Sequence, residues 1–358
     1  MTDWRSIQIR YYDEAKDDLI LDAVRPLLAD LDGRVRRPHF VRHWRRGPHL
    51  RLNLQAGDAV WHDEVLPEAT GRLGRYLKEH PSTTVLDEAA LAEPHRLLAI
   101  RESDHGPLRP WYPDNTLQTE PYEDRRHVLR SQRLIDLFDT FHAQSTALAF
   151  PTLEAVRRGE LSLFQVALDL MIAFAHTSVP PISRGYLSFR SHAEAFCSYC
   201  EDRDGVRAGF EAKYRQQAEP LRALVRDRVA QVDEDRSPPH VREWLRLVAR
   251  QKETAAPLIA DGRIDLDAAE PEPEMVQLHT VDFHEILLGT GRYTTEILGS
   301  PWFLTHRLAI NMLYAHLARL GLTPLQRYLF CHLISDAVEE EYGVSPVERA
   351  RAWADART

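Results

Sequence analysis

The chain has 358 residues, 44% of them hydrophobic and 28% charged, with a formal net charge of −9 at pH 7. That is the composition of a soluble globular protein with room for one large domain or two ordinary ones, and the negative balance argues against general nucleic-acid binding. No apolar run approaches the ~18 residues of a membrane span, and Met1 to Ile9 lacks the basic and apolar regions of a signal peptide, so the expected location is the cytoplasm.

Trp4 to Tyr12 alternates apolar and polar residues. Ile7 and Ile9 fall on one face with Gln8 and Arg10 opposite, which predicts a strand. Asp17 to Leu31 carries Leu19, Leu21, Val24, Leu27 and Leu28 on one helical stripe. Val35 to Trp44 and His49 to Leu54 read as a hairpin around Arg45-Arg-Gly-Pro48. Helices are expected over Trp61 to Lys78 and Glu88 to Ala99. The Pro-, Asp- and Asn-rich stretch Glu102 to Tyr122 is expected to be irregular, and loops of that length are more often functional than idle.

His127 to Arg158 reads as one long helix or two. Ser162-Leu-Phe-Gln165 is a capping box opening a helix to about His176, which Val179-Pro-Pro181 breaks. Ser191 to Cys200, Val206 to Val232 and Pro239 to Thr254 follow as helices. Glu270 to Glu274 is an acidic, proline-broken loop, and strands are expected between His279 and Thr295. Pro301 to Leu320 is helical and ends at Gly321. Thr323-Pro-Leu-Gln326 caps the next helix with Pro at its first position, and Ser345-Pro-Val-Glu348 repeats the device. The expected fold class is α+β. A small antiparallel-containing sheet (a β-α-β-β start over 1–55) would pack with a mostly helical remainder (56–358) in a single domain spanning 1–358.

Three cysteines, Cys197, Cys200 and Cys331, are too few for a disulfide framework, and their number is odd. Cys197-Ser-Tyr-Cys200 has metal-pair spacing but no second pair, so two small core residues on one helix is the better reading. There is no Gly-x-Gly-x-x-Gly after a strand, no phosphate-binding loop, no Gly-x-Ser-x-Gly and no His-Glu-x-x-His. Dinucleotide, ATP, serine-hydrolase and simple zinc-peptidase readings lose most of their support.

The informative stretch is Arg34 to Asn53, with seven arginines and His39, His43 and His49. On a strand His49, Arg51 and Asn53 share a face, opposite Leu50, Leu52 and Leu54. The leucines are core. The polar face, taken alone, reads as solvated, or else as a site.

Phe40-Val-Arg-His-Trp-Arg-Arg-Gly-Pro-His-Leu-Arg-Leu resembles a segment of the glutamate-elimination domain of lantibiotic dehydratases and its free-standing relatives, as does the opening strand and helix. Departures stand out. Asn53 follows Arg51 where the dehydratases carry a second arginine. Tyr122-Glu-Asp-Arg-Arg126 lacks their Gly pair. Trp302-Phe-Leu-Thr-His306-Arg307 replaces a motif whose leading histidine is the proposed acid/base. Pro113-Asp-Asn-Thr116 with Tyr122-Glu123, Gly185 to Glu194, and Trp302 to Glu340 resemble instead the thiopeptide pyridine synthase branch.

That resemblance implies a reaction joining two dehydroalanines of one ribosomal precursor in a formal aza-[4+2] cycloaddition. Water and then the leader peptide are lost, leaving a pyridine macrocycle. It implies no metal and no organic cofactor. Its partner is the linear precursor with its leader; the oligomeric state is open. The steps are proton transfers, suited to His, Tyr, Ser or Glu. Pre-orienting two distant parts of one peptide can lower the barrier by roughly 7–11 kcal/mol.

The residues so implicated in catalysis are Tyr293, Ser188, His49, Arg51, Ser191 and His192. Those implicated in substrate binding are Arg42, Trp44, Arg45, Arg46, Asn53, Tyr122, Arg190 and Trp302. Trp111 and Tyr112 are further candidates for an aromatic wall. Two plainer readings stand beside these. Ser191-His-Ala-Glu194 is also a complete capping box, and the arginine-rich hairpin, a candidate for holding an acidic leader, is equally a charge-blunted sheet edge. The competing functions are a glutamate-elimination lyase making dehydroalanine or dehydrobutyrine, and a non-catalytic peptide- or RNA-binding module.

Overall fold

The computed structural model describes residues 3–264, 266, 284–286 and 294–355. The chain divides into two compact units, one of residues 1–161 with 318–321, the other of residues 162–317 with 322–358.

The first unit is built on a four-stranded antiparallel sheet. Its strands are β1 (Asp3–Arg10), β2 (Arg36–His43), β3 (His49–Ala56) and β4 (Thr116–Glu120), in the order β2-β3-β1-β4. Between β1 and β2 the chain winds as a π-helix over Leu19–Val24 and continues as an α-helix over Arg25–Asp30. The start is therefore β-α-β-β, as the sequence predicts.

The five-residue turn between β2 and β3 puts Gly47 at φ +96°, and a Cβ there would stand 2.5 Å from the Tyr12 hydroxyl. Glycine is required on both counts. Strand β4 is a correction: it lies inside the stretch expected to be irregular. Thr-Leu-Gln-Thr-Glu carries one apolar residue, so its register with Ser6 to Arg10 of β1 comes from pairing rather than from a pattern of its own.

Register fixes the two faces. Ile7 pairs with Leu52, Ile9 with Leu50, and Phe40 with Leu52; all are at most 2% exposed. Gln8 pairs with Arg51, Ser6 with Asn53, Arg10 with His49, and His39 with Asn53. One face is thus apolar and the other polar, and both are buried. Helices Leu66–Glu79, Ala92–Arg101 and Gln132–Arg157 belong to the same unit, the last stacking Phe150 on Phe40.

The second unit is helical. Leu163–Ser178, Ile182–Gly185, Leu187–Ser198, Arg203–Arg215, Ala218–Asp233, Pro239–Ala260 and Pro324–Tyr342 belong to it, with Pro301–Leu320 up to its last turn. Ser162 caps its helix through Gln165 N–H at 3.1 Å. Thr323 and Gln326 make the reciprocal capping box in full, with Pro324 following. Gly321, at φ +109°, follows the Pro301–Leu320 helix as predicted.

The expected Ser191 cap is overturned. The helix begins at Leu187, so Ser191 sits inside it, and Glu194 pairs with Arg207 and Arg190. Strands expected over 279–295 are also corrected where residues are described: 284–286 are helical, and Thr294–Leu298 is a π-helical turn. His279, the 270–274 loop and Tyr293 lie outside the described residues.

Cys197 packs among Phe196 and Phe210 and all three cysteines are free thiols. Asp169, fully buried, accepts from Arg228 Nε and Nη2 at 3.1 and 2.6 Å and faces His240 at 3.3 Å, so one carboxylate ties three helices. No single described helix is long and apolar enough to cross a membrane.

Candidate functional site

The polar sheet face of the first unit is not solvated. His49, Arg51 and Asn53 are 0%, 8% and 5% exposed. The acid that pairs with Arg51, Glu123, comes from far along the chain, which is why strand alternation alone reads the face as wet. Arg51 donates to His49 Nε2 at 3.1 Å and to Glu123 at 2.8 Å. A guanidinium thus faces each ring nitrogen of His49: Arg51 at Nε2, and Arg10 Nη1 at 2.8 Å from Nδ1, which also meets the Gly47 carbonyl at 2.8 Å. Burial, with Arg10 and Arg51 close by, holds the His49 pKa far below the ordinary histidine range. Arg10 donates to the carbonyls of Arg45, Arg46 and Gly47, closing the hairpin turn onto β1. His49 and Arg51 are therefore engaged in holding the hairpin. Asn53 meets His39 Nε2 at 3.2 Å.

The hairpin arginines are paired as well. Arg42 donates to the Arg319 carbonyl at 2.9 Å and pairs with Asp17. Arg45 pairs with Asp104 at 2.6 Å and with Glu123. Arg46 donates to the Pro110 carbonyl and lies over the Tyr112 ring. Trp44 donates to Glu102 at 2.9 Å, and both Trp44 and Trp111 pack on His95. An acidic peptide would reach these arginines only by displacing their present partners.

Tyr122 borders a cleft of about 570 Å³ with Trp4, Trp61, Glu120 and Asp124. Its ring stacks on Trp4 at 4.3 Å and its hydroxyl donates to Asp139. Burial pushes the Asp139 carboxyl up to about 6.

In the second unit, the Leu187–Ser198 helix brings Ser188, Ser191 and His192 onto one face, at spacings of three and four. Each is half-buried and each meets a hydrogen-bonding group from another segment. Ser188 Oγ lies 2.8 Å from His306 Nε2, and Ser191 Oγ lies 2.8 Å from His284 Nε2. His192 Nδ1 lies 2.7 Å from the Tyr314 hydroxyl, which is 3.3 Å from Cys331 Sγ. His306 reaches on from Nδ1 to Ser178 Oγ at 2.8 Å, and Lys252 Nζ donates to that same oxygen at 3.3 Å. His306 is 2% exposed and stacked on Phe174. Burial and the nearby Lys252 push it down to about 4, so its imidazole is neutral at pH 7. Burial pushes His192 down to about 3.

Local packing explains how Ser178 and Ser188 come together. Ser178 ends one helix, and Gly185 lies three residues before Ser188. A Cβ on Gly185 would stand 1.8 Å from the Ala175 carbonyl oxygen, so only glycine permits this approach of the two backbones.

Arg190, on the same helix but 6% exposed, is held by Glu339 at 2.8 Å, by Asp336, and by Glu194 at 3.6 Å. Trp302 is half-exposed in the first turn of its helix. The structure thus gathers Ser188, Ser191 and His192, and separately joins His49, Arg51 and Arg45 through Glu123. Ser178, Lys252, His306 and Tyr314 were not singled out from the sequence. Their only signals there are weak: His306 lies one helical turn after Trp302, and Lys252 is one of four lysines among 45 basic residues. Hydroxyl and imidazole groups at 2.7–2.8 Å suit proton movement and the polarising of a carbonyl. Among the described residues no group of three or more His, Cys, Asp or Glu is arranged to hold a metal ion.

Comparison with curated proteins gives no match. Among solved structures, the pyridine synthase TbtD from thiomuracin biosynthesis is similar at 32% identity and a TM-score of 0.78, over 96% of this chain and 100% of that one. TsrL shares the fold at 23% identity and a TM-score of 0.73, over 98% of this chain and 99% of that one. The tRNA-dependent lantibiotic dehydratase MibB from Microbispora sp. 107891 aligns at 17% identity and a TM-score of 0.47, over 95% of this chain and 28% of that one. The family described as the C-terminal region of lantibiotic biosynthesis dehydratases matches residues 4–338, and the chain belongs to that family.

Proposed function

We propose that the protein is a thiopeptide maturation enzyme of the pyridine synthase type. It would join two dehydroalanines of a ribosomal peptide by a formal aza-[4+2] cycloaddition and release water and the leader peptide. The observation that carries this reading is the end-to-end likeness, at 32% identity, to a pyridine synthase. The row of hydroxyl and imidazole groups on the Leu187–Ser198 helix supports it, because diene formation and the later losses of water and leader each move a proton to or from oxygen or nitrogen. The elimination lyase is less well supported, since Trp302 stands where that motif places its acid/base.

On this reading Ser188, Ser191 and His192, with Tyr293, act on the reacting peptide, while His49 and Arg51 hold the hairpin. Tyr122 and the cleft beside it are a binding place for peptide. Trp44, Arg42, Arg45, Arg46, Asn53, Arg190 and Trp302 remain proposed contacts, the arginines by exchange of partners. The whole chain, 1–358, is proposed to act as one functional domain, in the cytoplasm, on a linear precursor carrying its leader.

The test is incubation with a thiazole-bearing, dehydroalanine-containing precursor, followed by mass spectrometry. A macrocycle and a released leader are expected. An authentic substrate left unchanged would reject the proposal.

A further inference from the structure

The chain Lys252, Ser178, His306, Ser188 has a direction, and that direction bears on what Ser188 can do. An ammonium has donors and no lone pair, so Lys252 Nζ must donate to Ser178 Oγ. Ser178 then has one proton left, and 2.8 Å away is His306 Nδ1. If the hydroxyl donates there, Nδ1 is an acceptor and the proton of the neutral ring sits on Nε2. Nε2–H in turn points at Ser188 Oγ, 2.8 Å away. Ser188 receives a hydrogen bond on its oxygen and keeps its own proton for a further acceptor. In the opposite arrangement, familiar from hydrolase triads, a carboxylate holds the Nδ1 proton and leaves Nε2 to take the proton of serine. Here both His306 nitrogens meet serine hydroxyls, and the charge at the far end is positive.

We propose that Lys252, Ser178 and His306 are positioning residues that fix Ser188 as a hydrogen-bond donor to an amide carbonyl oxygen of the substrate, rather than as a nucleophile or base. The choice of substrate atom rests on the pyridine synthase reading. In that reaction an amide proton shifts from nitrogen to its own carbonyl oxygen, and that oxygen gains electron density as the N–H bond breaks. A preorganised donor aimed at that oxygen stabilises it, and a relay of hydroxyl and imidazole headed by a cation strengthens the donor. Nothing is transferred from Ser188 to the peptide and no covalent intermediate forms on it. Ser188 is half-buried at the face shared with Ser191 and His192, so its remaining proton has a direction in which to point.

Two readouts separate this inference from the function on which it rests. The first needs no substrate. In protein labelled with 15N-histidine, with His306→Asn used for assignment, the ring nitrogens of His306 are expected to report the neutral Nε2–H form at pH 7.5. In Lys252→Met that preference should be lost. An Nδ1–H form, or an imidazolium, in the native chain overturns the proposal whatever the activity. The second readout uses the dehydroalanine precursor. Ser188→Ala should lower kcat about 100-fold, the scale of one removed oxyanion donor. Ser188→Cys should fall with it, because a thiol is a good nucleophile but a weak donor. Lys252→Met should lower kcat about tenfold, the scale of one hydrogen bond to a charged group, with KM unchanged. Lys252→Arg, which keeps the cationic donor, should restore most of it. An active Ser188→Cys, or a covalent adduct on native Ser188, rejects the donor role. An Nε2–H ring in a chain that leaves the precursor untouched keeps the relay and rejects the cyclase reading.

Discussion

Gly185→Ala isolates the packing that brings Ser178 and Ser188 to one histidine. The added methyl would stand 1.8 Å from the Ala175 carbonyl oxygen, 2.7 Å from its carbon and 3.0 Å from the Val179 carbonyl oxygen. All are backbone atoms, so no side chain can swing aside. Restoring ordinary contact at 3.4 Å means parting the two backbones by about 1.6 Å (3.4 less 1.8). Overpacking of this kind costs typically 1–3 kcal/mol, and a rigid carbonyl places it at the upper end, about 3 kcal/mol. A displacement of about 1 Å can lower turnover about 100-fold. Ser178 lies three residues beyond Ala175, and Ser188 three beyond Gly185, so the displacement is passed to both contacts of His306. The assays are a urea-unfolding midpoint and turnover of the dehydroalanine precursor. Both should fall in Gly185→Ala, while Gly71→Ala, inside the Leu66–Glu79 helix with nothing within 4 Å of the added carbon, should keep native turnover and raise the midpoint by about 0.5–1 kcal/mol of stability. A Gly185→Ala protein with native midpoint and native turnover would mean that this backbone contact does not position Ser178 and Ser188.

Three other outcomes follow from the buried polar groups. Asp169→Asn leaves Arg228, 5% exposed, without its counter-charge, and should cost about 3–5 kcal/mol in urea unfolding. Asp169→Leu with Arg228→Met together should cost far less; equal losses would mean the pair is not what ties these helices. Stability should also depend on pH through His306, held at about 4 when folded against about 6.5 in an unfolded chain. The unfolded chain takes up the proton first, so this contribution is complete above about pH 6.5 and is lost as the pH falls toward 4, on the order of 3 kcal/mol in all. A flat urea midpoint from pH 7.5 to 4.5 would contradict a buried neutral imidazole. Arg51→Met removes the donor to buried His49 Nε2 and should destabilise by about 1–3 kcal/mol, read as a lowered Tm. An unchanged Tm with lowered turnover would return Arg51 to the reacting groups.

The parts of the fold legible in the sequence are those with a period of their own. Ile7 and Ile9 against Gln8 and Arg10, and Leu50, Leu52 and Leu54 against His49, Arg51 and Asn53, mark β1 and β3 and their faces. Thr323 and Gln326 with Pro324 mark a helix start, and Gly321 a helix end. Strand β4 was hidden because Leu117 is its one apolar residue and β1 supplies its register. Ser191 with Glu194 misled, since a serine three residues before a glutamate also occurs mid-helix; here the helix had already begun at Leu187. Alternation reveals that His49 and Arg51 share a face but not whether water covers it, because Glu123 lies more than seventy residues away. The site shows the same limit more strongly. Ser188 and Ser191 came from a local motif, whereas Ser178, Lys252 and His306 reach Ser188 only through tertiary packing, and no spacing in the chain connects them.

Mass analysis of an authentic precursor after incubation with the purified chain separates cyclisation from elimination. The precursor carries its leader, thiazoles and two dehydroalanines. Cyclisation predicts a pyridine macrocycle together with an intact leader released as its carboxamide, in the absence of any added cofactor. A precursor recovered unchanged, while a glutamylated peptide loses glutamate under the same conditions, would contradict it and assign the chain to elimination instead.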